Sequence, residues 1–110
     1  PLLGDLNHEE FWVLLLDRGN KIQDSFRISQ GGISGTVIDV RVILKPAIEK
    51  QSSNIILCHN HPSGTLQPSQ ADRQITTKIK DAAKLMDISV LDHIIIGQNK
   101  YFSFADEGIL

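Results

Sequence analysis

The apolar residues of this chain fall into short runs of strand length, each closed by turn formers, around one long amphipathic segment from Pro68 to Met86. Such a pattern limits the fold to a sheet with a few helices packed on it. Phe11 to Leu16 is bounded by Asp17, Arg18, Gly19 and Asn20 and reads as a strand covered on both faces. Lys21 to Ser29 alternates, with Ile22, Phe26 and Ile28 on one parity, so it returns as a hairpin partner across the Gly-Asn turn. Gln30 to Gly35 holds three glycines and is a loop.

Thr36 to Gln51 is ambiguous by propensity, since its β-branched residues favour a strand while Val40, Ile43, Leu44, Ala47 and Ile48 share one helical face. We read it as a helix capped by Asp39, with Pro46 inside it bending the axis at a cost of up to ~3 kcal/mol. Asn54 to Asn60 and Ser89 to Ile96 are buried strands, and Tyr101 to Phe104 is a short last strand after a turn at Gly97 to Lys100. Pro68 and Ser69 open the long helix, whose inner side carries Ile75, Ile79, Ala82, Ala83 and Met86. The order β-β-α-β-α-β-β predicts an α/β (α+β) chain, a mixed sheet flanked by helices, with residues 1–110 as one domain.

No apolar run approaches the ~20 residues needed to span a bilayer, and the first ten residues lack the plan of a secretory signal. The chain begins with Pro1 rather than Met, as a domain excised from a longer protein would. A single cysteine among 110 residues permits no internal disulfide and no Cys-rich zinc pattern, which points to a reducing, cytoplasmic setting. The net charge of −2 makes no electrostatic case for nucleic acid.

The chemistry is concentrated in one stretch. His59 and His61 are two apart at the end of a buried strand and therefore project to one face. Asp72, in the first turn of the long helix, offers an oxygen donor that the loop from Pro62 to Pro68 can bring back over the strand end. Two imidazoles and a carboxylate suit Zn²⁺, and three protein ligands leave a fourth position open. Two plainer readings stand beside this one: a pair of hydrogen-bonded histidines at a strand edge, and a capping box in which Ser69 and Asp72 serve only the helix.

The string His59-Asn60-His61, seven residues, Ser69, two residues, Asp72 resembles the core of the JAMM (MPN+/JAB) zinc metalloprotease motif. The flanking HNHPSG, PSQAD, LDHIIIG and YFSFAD resemble, more narrowly, the bacterial RadC family, over about Leu2 to Asp106. This resemblance implies a three-layer architecture similar to the cytidine deaminase fold, with His59, His61 and Asp72 as zinc ligands. It further implies that Ser69 donates to the developing oxyanion and that an N-terminal glutamate activates water. Glu9 fits the family's Glu-x-Phe pattern, with Glu10 as the alternate, and alternation does not choose between them because both faces of the strand look buried. Relatives of this kind carry an upstream helical segment similar to helix-hairpin-helix DNA-binding modules. The activity so implied is hydrolysis of a peptide or isopeptide bond in a protein substrate. The alternative is a noncatalytic, DNA-repair-associated or scaffold module.

Around these residues, Asn60 and Ser63 are secondary candidates for touching substrate, although short polar residues also stabilise turns locally. Asp92 and His93 read as a structural hydrogen-bonded pair or as support for a ligand. Cys58, on the opposite parity from His59, reads as a small core residue, as do Trp12, Leu14 and Leu16. Arg73, Lys80 and Lys84 share one solvated helix face.

Overall fold

The computed structural model describes residues 8–30 and 38–110. Five strands and two helices follow in the order β1 (Glu10–Leu16), β2 (Ile22–Gln30), α1 (Val40–Glu49), β3 (Asn54–Asn60), α2 (Gln70–Leu85), β4 (Ser89–Gly97) and β5 (Lys100–Ser103). They form one mixed sheet in the order β2-β1-β3-β4-β5. Only β3 and β4 are parallel, because the chain between them is long enough to hold α2, whereas β1 and β2 are joined by a tight turn with Asn20 at φ 61°. The glycine-rich loop expected at 30–35 lies, past Gln30, outside the described residues.

Partners directly opposite on a ladder share a face. Phe11, Val13 and Leu15 on β1 face Leu57 and Ile55 on β3 from the same side as His59. All of them are essentially inaccessible, and Ile43, Leu44 and Ala47 of α1 and Ile79 and Ala83 of α2 complete the same core. Both helices pack on this face of the five-stranded sheet, giving the mixed α/β (α+β) arrangement of sheet and helices that the element order predicts. On the other face Trp12 and Leu14 are only half-buried, which corrects the expectation of a strand covered on both sides.

Asp39 caps α1 through its side chain, which accepts from the Arg41 N–H at 2.9 Å. Pro46 stands inside this helix and removes one backbone bond. Complete burial of Ile43 and Leu44, at ~1.5–3 kcal/mol each, offsets the ~3 kcal/mol cost and decides for helix over strand. Two residues expected on the inner helix faces are exposed instead, Ile48 at 51% and Met86 at 58%. Both sit where their helices end, and Met86 is the C-cap, beyond which Ile88 takes up the core position.

A bulge in β4 matters most for the site. Ile55 pairs with Val90 but Ile56 with Asp92, so Leu91 is an extra residue and the alternation reverses across it. Val90 points into the core and, without the bulge, Asp92 would follow it; with the bulge His93 does.

Candidate metal centre

The C-terminal end of β3 and the N-terminus of α2 meet over the core face. His59 is the penultimate residue of β3 and His61 follows the strand, where its backbone N–H donates to the Ile96 carbonyl at 3.1 Å. Ser69 is the N-cap of α2. Its Oγ accepts from the Asp72 N–H at 3.0 Å, while Asp72 Oδ2 accepts from the Ser69 N–H at 2.8 Å. The capping box is therefore real, and it is also what aims Asp72 at the histidines. The cap uses a lone pair of the Ser69 hydroxyl and leaves its hydrogen free to donate.

His59 Nε2 lies 3.0 Å from His61 Nε2, and Asp72 places Oδ1 3.3 Å from the first and Oδ2 3.2 Å from the second. These three residues are the group among the described residues whose donor atoms converge, all within 4.8 Å. Tetrahedral ligands at zinc distances of 2.0–2.1 Å lie roughly 3.3 Å apart, so the spacing fits such an ion.

Proton positions make the fit chemical as well as geometric. His61 Nδ1 lies 2.7 Å from the Thr65 carbonyl, which can only accept, so Nδ1 carries the hydrogen and Nε2 of the neutral ring a lone pair. Thr76 Oγ1 donates to the Asp72 carbonyl at 2.6 Å and thus accepts from His93 Nδ1 at 2.5 Å. His93 Nε2 is then an acceptor and takes the Nδ1 hydrogen of His59 at 2.7 Å. The Nε2 of His59 is consequently bare too. With both rings neutral, two lone pairs and a carboxylate point at one another, around side chains 1%, 11% and 3% accessible. A metal cation satisfies that arrangement, and without metal a proton held between His61 and Asp72 takes its place.

Without metal, the electrostatics draw a proton toward the same group. Burial alone would raise the Asp72 carboxyl, but its contacts with His59 and His61 and the Ser69 N–H overcome this and hold it well below the usual carboxylate range. Asp72 in turn raises His61. Burial pushes His93 well below an ordinary imidazole, which keeps it neutral, as its place between His59 and Thr76 requires. His93 is further fixed by stacking on Phe104 at 4.6 Å, and Phe11 stacks on His59 at 5.9 Å.

The remaining candidates separate by face. Glu9 stands just before β1 at the parity of Phe11, is half-buried, and its charge is felt at His61. Glu10 belongs to the other face, where its carboxylate takes hydrogen bonds from His8 at 2.9 Å and Trp12 at 3.0 Å and lies 3.6 Å from Arg27. Those contacts, His8 first, lower its pKa. Glu10 is thus engaged on the face of the sheet away from the histidines. Asn60, proposed as a substrate contact, is instead buried at 1%, and both ends of its amide are engaged by the start of β1. Ser63 lies in the exposed turn after His61 and accepts from Thr65 N–H at 3.5 Å.

Asp92 and His93 are a hydrogen-bonded pair through the backbone, Asp92 Oδ1 accepting from the His93 N–H at 2.7 Å, while their side chains point to opposite faces. Asp92 faces away, accepting from Ser103 Oγ at 2.5 Å and the Ala105 N–H at 3.0 Å, and so ties down the chain after β5. His93 alone supports a ligand. Thr76 was not legible as part of the site, although a hydroxyl four residues after Asp72, on the buried face between Ile75 and Ile79, was a usable signal. Cys58 faces away and is buried, and burial pushes its thiol up to about 11. Arg73, Lys80 and Lys84 are exposed. No helix of the described residues is long and apolar enough to cross a membrane.

A profile of the family described as RadC-like JAB domain matches residues 1–109. The chain is 55% identical over 109 residues to a UPF0758 protein of Flavobacterium johnsoniae, which covers 99% of this chain and 48% of that one. A UPF0758 protein of Porphyromonas gingivalis is 50% identical over 111 residues, 100% of this chain and 49% of its own length. One from Aliivibrio fischeri is 43% identical over 107 residues, 97% and 48% respectively. The chain spans about half the length of the curated relatives it matches.

Proposed function

The chain belongs to the RadC-like JAB domain family, and from that premise we propose that it is a zinc-dependent hydrolase of peptide or isopeptide bonds in a protein substrate. One observation carries this reading: the buried convergence of His59 Nε2, His61 Nε2 and the Asp72 carboxylate. Nitrogen and oxygen donors in that ratio suit Zn²⁺, and three of them leave a position open.

Bound there, zinc would lower the pKa of a water from 15.7 to ~7 and polarise the attacked carbonyl. Glu9, just before β1, takes the proton from the attacking water and hands it to the leaving amine. The Ser69 hydroxyl donates its free hydrogen to the oxyanion that forms, a contribution of about 3 kcal/mol. His93 and Thr76 hold His59 in the tautomer that presents Nε2.

The test begins with metal. Purified protein binds about one Zn²⁺ per chain, and the His59→Ala, His61→Ala double variant binds none; stoichiometric zinc in the double variant refutes the ligand set. Zinc-loaded protein is then incubated with a proteome-derived peptide library and with ε-glycyl-lysine conjugates, and new amino groups are read by mass spectrometry. Cleavage lost in Glu9→Gln and kept in Glu10→Gln supports the mechanism. Zinc binding without cleavage of either probe favours the noncatalytic module.

A further inference from the structure

The β1–β3 ladder stops at Phe11 and His59, one pair short of Glu10 and Asn60. Beyond it β3 turns toward β4, as the bond from His61 N–H to Ile96 shows, so no backbone of β3 is left to hold the start of β1. The Asn60 side chain takes its place. Asn60 Oδ1 accepts from the Glu10 N–H at 2.7 Å, and Asn60 Nδ2 donates to the His8 carbonyl at 2.8 Å. These two groups belong to the peptide units on either side of Glu9. One carboxamide therefore grips the backbone both before and after that residue, from the position between the two histidines.

We propose that Asn60 is a positioning residue that fixes Glu9 against the His59 and His61 strand end. This rests on the reading of Glu9 as the proton-transfer group. A carboxamide suits the task, since it offers one acceptor and one donor in the spacing of a peptide group and so substitutes for the missing ladder partner. Its near-complete burial keeps water from competing for the same two peptide groups. Misplacing a reacting group by ~1 Å costs on the order of 10²-fold in rate.

The experiment uses the Co²⁺-loaded protein, whose visible spectrum reports the surroundings of the ion without any substrate. Wild type, Asn60→Ala, Glu9→Gln and the double variant are compared at one pH, with Co²⁺ content and circular dichroism recorded for each. The expected result is full Co²⁺ content in Asn60→Ala, a spectrum displaced in the direction of Glu9→Gln, and a double variant indistinguishable from Glu9→Gln alone. Asn60→Ser, which retains a polar group but reaches neither peptide, behaves as Asn60→Ala and serves if the alanine variant does not fold. On a substrate found as above, the kcat of either variant falls 10- to 100-fold with KM unchanged. An unaltered spectrum in both Asn60 variants, or effects of Asn60 and Glu9 that simply add, overturns this inference while leaving the role of Glu9 standing. If Glu9→Gln itself leaves the spectrum unchanged, both are overturned.

Discussion

His59 Nδ1 sits 2.7 Å from His93 Nε2, although the two residues are 34 positions apart in the chain. The contact joins the ligand strand β3 to its parallel neighbour β4 and, through Thr76, to the first turns of α2. It turns three separate elements into one support for a metal ligand.

Removing that support without disturbing the packing separates its two roles. His93→Phe fills the stack between Phe11 and Phe104 but leaves the His59 Nδ1 hydrogen with no acceptor. Zinc affinity should fall 10- to 100-fold, the usual cost of losing a ligand's hydrogen-bond partner, while the fold is retained. Competition against a chelator of known affinity measures it, and unchanged affinity would show the contact to be packing only.

Thr76→Val deletes the hydroxyl and keeps the volume. His93 Nδ1 then keeps a buried hydrogen without an acceptor, which costs about 1–3 kcal/mol of stability. Urea denaturation of the metal-free protein checks this. A variant as stable as wild type would mean that the proton order along Thr76, His93 and His59 is not the one deduced.

Ser69 caps α2 and, in the proposed mechanism, also donates to the oxyanion. Ser69→Ala should lose ~1 kcal/mol of stability with the cap and, separately, about 10²-fold in turnover, with zinc content unchanged. A loss of stability with full turnover would reduce Ser69 to a helix cap.

Acidity should act in opposite senses on the metal-free and metal-bound protein. In the absence of metal, His61 is raised by Asp72, so its contribution to stability is complete below the unfolded imidazole value of ~6.5 and is lost as pH rises through its higher folded value. Asp72 is lowered, so its contribution is present above the unfolded carboxyl value of ~3.9 and is lost only as pH falls through its depressed folded value. Zinc requires both imidazoles neutral. The rise in Tm on adding zinc should therefore be small at pH 5.5 and large at pH 7.5. An increment independent of pH would point to other ligands.

Cys58 should be inert. With its thiol pushed up to about 11 and its side chain buried, little thiolate exists at neutral pH, and alkylation by iodoacetamide at pH 8 should proceed only as fast as the protein unfolds. Rapid labelling of the native protein would place Cys58 at an open face of the sheet.

The element order, the helical reading of the ambiguous stretch before Asn54 and the grouping of His59, His61 and Asp72 were all legible in the sequence. Each depends on local rules: alternation puts residues two apart on one face of a strand, and a Ser-x-x-Asp cap fixes the first turn of a helix. Tertiary structure decided the rest. The extra residue at Leu91 chose His93 over Asp92 for the core, and the pairing of Phe11 with His59 put Glu10, with Trp12, on the face away from the ligands. Thr76 and Asn60 acquired their roles from partners far along the chain. Periodicity within a segment fixes which residues share a face, but which face meets which neighbour is set by strand register, and register exists only once the strands have paired.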